Sequence, residues 1–144
     1  MNAPLQSAGL LVIRVVLGVV FLAHGTEKLG DLQGTEQFFA SLDIPAPALM
    51  APLATFTEVI GGGLLIVGLL TPLVGVALAI NMLVAGITVH AGSGFFVADG
   101  GYELVLVLGA AALGIAAAGP GRLSLDAQLR LGERVSGHHA APTA

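Results

Sequence analysis

Residues 52–89 read PLATFTEVIGGGLLIVGLLTPLVGVALAINMLVAGITV. Two apolar runs, Pro52 to Leu70 and Leu73 to Val89, are separated only by Thr71 and Pro72. Each is close to the roughly 20 residues needed to cross a hydrocarbon core about 30 Å thick. A two-residue connection leaves room only for a tight reversal, so the two helices must be antiparallel neighbours. Pro52 fits the first turn of its helix, where a missing N–H costs little. Glu58 interrupts the first run, and Asn81 and Thr88 interrupt the second.

Working outward, a further apolar run lies on each side of this hairpin. The first, Leu5 to Ala23, carries Ser7 and Arg14; the last, Tyr102 to Ala118, ends at the stop signal Gly119-Pro120-Gly121. The expected spans are 5–24, 52–70, 73–90 and 102–118. The fold class is therefore all-α: an integral membrane four-helix bundle in residues 1–135, with a disordered tail over 136–144. Residues 1–7 have no Lys or Arg and Arg14 sits inside the apolar run, the reverse of a cleaved leader. Short interfacial helices are expected at Thr35–Leu42, with Phe38 and Phe39 on one side, and at Ser124–Arg134.

Composition agrees with a lipid environment. Of 144 residues, 56% are hydrophobic and 10% charged, against about 25% charged in soluble domains. A chain this short cannot hide that much apolar surface from water. The net charge of −4, without a basic run, argues against nucleic acid as a partner. With no cysteine, a thiol relay, an iron–sulfur cluster and a Cys-ligated zinc are excluded within this chain. Arg122, Arg130 and Arg134 gather on one side and Lys28 stands on the other. Lys/Arg excess marks the cytoplasmic face, so both termini are expected to be cytoplasmic.

The two halves resemble each other in order: His24-Gly25, Glu58, glycines and Pro72, then His90-Ala91-Gly92, Glu103, glycines and Pro120. That order suggests two repeated helical hairpins about an axis along the membrane normal. It also sorts the polar residues by depth. His24, Lys28, His90 and Glu103 collect near the outer surface, and Glu58 lies about 9 Å below Pro52 at 1.5 Å per residue. Arg14 and Asn81 fall deeper. A charge in hydrocarbon is costly enough that Arg14 and Glu58 are expected to face inward and pair, Arg14 reaching up toward Glu58. Such a pair is either a structural lock on helix register or the wall of a pocket for a headgroup or proton. His24, Lys28, Glu58, His90 and Glu103 are the candidate ligand or proton-binding residues, with Arg14 and Asn81 as buried structural groups. No metal site is expected, and haem held by His24 and His90 is the weaker idea because the two lack a ligand spacing.

Three stretches carry a family resemblance. Arg14-x3-Gly18-x5-His24-Gly25-x2-Lys28, Glu58-Val59-Ile60-Gly61-Gly62 running on to Gly68-Leu69-Leu70-Thr71-Pro72, and Gly119-Pro120-Gly121-Arg122-Leu123-Ser124-Leu125-Asp126 together resemble the DoxX family. Leu123 departs from it, standing where an aromatic residue is expected. The resemblance implies a four-helix inner-membrane protein similar to a membrane subunit of quinone-linked or thiol/sulfur-linked electron transfer. Beside the bilayer it implies a protein partner or a homo-oligomer. No nucleotide-binding glycine pattern or metal signature supplies redox chemistry, so no cofactor is demonstrable from sequence. A quinone is the ligand such polar groups would suit. A non-enzymatic scaffold or anchor is the alternative reading, and a small-molecule transporter the third.

Overall fold

The computed structural model describes residues 3–129. Helix α1 runs Ala3–Gly30, α2 Leu32–Ser41, α3 Pro47–Val67, α4 Thr71–Ala85 and α5 Glu103–Ala118. Helix α4 continues through a π-helical turn, Gly86–His90, and a 3₁₀ turn, Ala91–Ser93. Among the described residues, three helical stretches are long and apolar enough to cross a membrane: Pro4–Gly30, Pro47–Val67 and Thr71–Ser93. Helix α5 is apolar but shorter, at 16 residues, about 24 Å at the α-helical rise.

The region between the first two spans differs from the expected loop. Helix α1 does not stop at His24, because a lone Gly25 costs a helix only about 1 kcal/mol and nothing else there breaks it. It ends at Gly30, where the Asp31 carboxylate accepts the Gly34 N–H at 2.8 Å and starts α2 three residues earlier than Thr35. Helix α3 starts at Pro47, after the left-handed Ala46 (φ 49°), so Pro52 lies more than a turn inside it rather than at its start. The tight reversal between α3 and α4 is present. Gly68 closes α3 at φ 72°, Leu69 N–H returns to the Leu64 carbonyl at 3.0 Å, and Pro72 occupies the first turn of α4. The tail helix is seen from Leu125 to Leu129. Its expected continuation to Arg134 and the 136–144 tail lie outside the described residues.

The helices associate as two pairs, α1 with α3 and α4 with α5, which follows the two-hairpin order of the sequence. Small residues bring the backbones together, as in membrane helix pairs generally. A Cβ on Gly18 would stand 2.6 Å from the Gly62 carbonyl oxygen, and one on Gly75 would stand 2.7 Å from that of Ala112. Leu17, Phe21, Leu65, Leu78, Met82 and Ile115 fill the space between the pairs. The outer faces of the helices expose large apolar side chains such as Val16, Ile60, Leu73, Ile80 and Ile87. Water would not tolerate a surface of this kind on a lone soluble domain; hydrocarbon does. The protein is an integral-membrane helical bundle.

Candidate functional site

At the Lys28 end of the bundle a cavity of about 980 Å³ lies between the helices. Gly25 sets one wall. A Cβ there would press on Val59 N at 2.8 Å and Glu58 Cβ at 3.0 Å, so its absence lets α1 lie directly on α3 at Glu58. Lys28, three residues on, then stands above the carboxylate. Its Nζ donates to Glu58 Oε1 at 2.5 Å, and Asn81 Nδ2 from α4 donates to the same oxygen at 2.9 Å. The Lys28 side chain is 31% exposed and that of Glu58 2%. Glu58 Oε2 is buried and has no hydrogen-bond partner among the described residues. Lys28, Glu58 and Asn81 all line the cavity, whose remaining wall is largely apolar.

The other expected residues divide. His24 belongs to the cavity rim, with its ring half exposed and 3.9 Å from Glu27 on the same helix. His90 lines the cavity from the π-helical turn, a distortion that often re-aims side chains at functional sites. Its Nδ1–H donates to the Gly100 carbonyl at 2.7 Å. This leaves Nε2 as the acceptor of a neutral ring. Glu103 is not part of the cavity wall. Its Oε2 accepts the Val97 N–H at 3.0 Å and so fastens the loop before α5. Among the described residues, no group of three His, Cys, Asp or Glu could hold a metal ion. Helix α2 adds what sequence reasoning did not assign to the site: Thr35, Phe38 and Phe39 line the cavity and α2 packs on α3. Their one-sided spacing was the available signal.

Arg14 does not pair with Glu58, which corrects the sequence expectation. Its guanidinium donates to the carbonyls of Pro120, through Nη1, and of Leu123, through Nη2 at 2.6 Å. The reason is geometric. Arg14 lies ten residues, about 15 Å, below His24 on α1, while Glu58 sits level with Gly25. The closing segment reaches Arg14 from below instead. Asp126 completes this clamp, its carboxylate accepting Leu70 N–H at 2.9 Å and Thr71 N–H at 3.0 Å. It also attracts the Arg14 guanidinium electrostatically. Gly68 is required twice over here: its backbone is left-handed, and a Cβ would lie 2.7 Å from Arg14 Cζ.

The comparisons with known proteins come down on one family. The DoxX family model matches residues 9–91. The chain is 36% identical to the Bacillus subtilis (strain 168) protein named "Putative oxidoreductase CatD", over 82% of this chain and 84% of that one. It is 29% identical to Escherichia coli (strain K12) "Inner membrane protein YqjF", over 85% and 92%. It is 32% identical to an uncharacterized membrane protein of Mycobacterium tuberculosis, over 81% and 78%. No solved structure matches it significantly.

Proposed function

The chain belongs to the DoxX family, and we propose that it is a plasma-membrane subunit of a redox system whose outer cavity binds a quinone-type headgroup. One observation carries this reading. Among the described residues, Glu58 holds two hydrogen bonds on Oε1 and none on Oε2, and it lines an open, apolar-walled cavity. Buried polar atoms are rarely left unpaired, and an apolar cavity with a few placed polar groups is the usual form of a small-molecule site.

The chemistry suits both states of a quinone. A quinol hydroxyl donates to Glu58 Oε2, and a quinone carbonyl accepts from the Lys28 ammonium, which has three protons and spends one on Glu58. Asn81 keeps the carboxylate oriented through Oε1. Glu58 can then take or return the hydroxyl proton. Electron transfer is assigned to a protein partner, as the relatives' oxidoreductase naming suggests. In this reading all four apolar helices cross the membrane and both termini are cytoplasmic, with Lys28 outside and Arg122 inside.

The test is purification in a mild detergent followed by mass spectrometry of extracted small molecules. Wild-type protein should carry quinone, or bind added benzoquinol. Glu58→Gln, which keeps shape but loses the titrating proton and one acceptor, should lose it while melting as a folded protein. A ligand-free wild type that ignores added quinol would instead make the chain a scaffold for its partner.

A further inference from the structure

The outer cavity does not end at its polar floor. Leu53, Thr57 and Ala77 line both it and a second, almost wholly apolar groove of about 310 Å³. That groove lies between α3 and α4 and continues past Ile60 and Leu64 to Leu73. Thr57 precedes Glu58, and Leu64 is seven residues further along α3, about 10 Å nearer the inner surface. A small residue stands at the junction: Ala77 is exposed on α4 and lines both spaces. The groove's edges, Ile60 at 57% and Leu73 at 67% exposure, belong to the lipid-facing surface.

Resting on the headgroup reading above, we infer that the ligand is a single-tailed amphiphile resident in the bilayer. Its head meets Glu58 and Lys28, and its tail leaves through the α3–α4 groove past Ala77. A ligand arriving from water would have no use for a continuation into hydrocarbon. The carboxylate oxygen it must reach is buried, and a tail kept in the bilayer needs a lateral path to allow that approach. Lipid tails are as apolar as the groove, so the groove adds little attraction of its own. Its contribution is steric passage. One narrow apolar channel suits one chain, and the unpaired Glu58 Oε2 calls for a head that donates an O–H or N–H.

The experiment uses the full chain in phosphatidylcholine nanodiscs with two radiolabelled probes, a decyl-tailed benzoquinol and the same headgroup without a tail. Wild type should bind both. Ala77→Phe plugs the junction from an exposed position and leaves the core untouched. It should weaken the tailed probe at least roughly tenfold more than the tail-less one, and equal weakening of both would overturn the tail path. Ala77→Leu, a smaller plug, should fall between and guards against misfolding of the first variant. Glu58→Gln should weaken both probes. If Ala77→Phe binds the tailed probe like wild type while Glu58→Gln does not, the tail lies elsewhere and this inference is overturned with the headgroup reading intact. If wild type binds neither probe, both fall.

Discussion

Glu58 and Arg14 sit on the two helices that pack together most extensively, yet each is neutralised by a different part of the chain. Insertion cost demands that both find partners, and that demand is legible in the residues. Which partner each finds depends on how far one helix is displaced along the other, and one sequence does not carry that information. Lys28 shows the point: read as a surface anchor it would extend to the headgroups, but Gly25 draws α1 onto α3 and the ammonium folds back to Glu58. Lys28→Ala should therefore destabilise the protein. Breaking a fully buried pair costs about 3–5 kcal/mol; with Lys28 about a third exposed, solvent screening brings the expectation down to about 1–3 kcal/mol. Thermal melting in detergent should show Lys28→Ala and Glu58→Ala together losing less than their sum. Arg14→Ala and Glu58→Ala should instead add within about 0.5 kcal/mol, and strong coupling between them would contradict the separate sites seen here.

Among the elements, the closing segment after α5 is the one whose role changes most between sequence and structure. Its Gly-Pro-Gly reads as a helix stop, which it is, since α5 ends at Ala118. Its second task is to bring Pro120 and Leu123 carbonyls to Arg14 and Asp126 to the start of α4. An acidic side chain on the first N–H groups of a helix both caps them and meets the positive end of the helix dipole. Asp126→Ala should cost about 0.5–2 kcal/mol, measured by thermal melting. Asp126→Asn, which keeps one acceptor oxygen, should recover part of that loss. Equal stability of Asp126→Ala and wild type would mean that the clamp contributes nothing. Helices α1 and α3 extend beyond their apolar runs for a related reason. Hydropathy marks where a helix enters lipid, whereas capping by Asp31 and the turn at Ala46 decide where it ends.

For the whole molecule, the prediction concerns orientation. Lys28 and Arg122 lie toward opposite ends of the bundle, and Lys/Arg excess follows the cytoplasmic side. In this cysteine-free chain, Gln33→Cys and Gln128→Cys place labels at exposed sites on α2 and the tail helix. An impermeant thiol reagent applied to intact cells should modify the first only. Modification of both from outside would rule out the proposed topology. The membrane class, the helical content, the tight α3–α4 reversal and the inward-facing charges follow from sequence alone, because hydrocarbon leaves apolar helices almost no alternative and penalises any lone charge. The cavity, the Lys28–Glu58–Asn81 contact, the roof from α2 and the Arg14 clamp were decided only by tertiary structure. They depend on how closely Gly18, Gly25 and Gly62 let two backbones approach. Glycine's effect is the space it leaves, and what fills that space is set by residues distant in the chain.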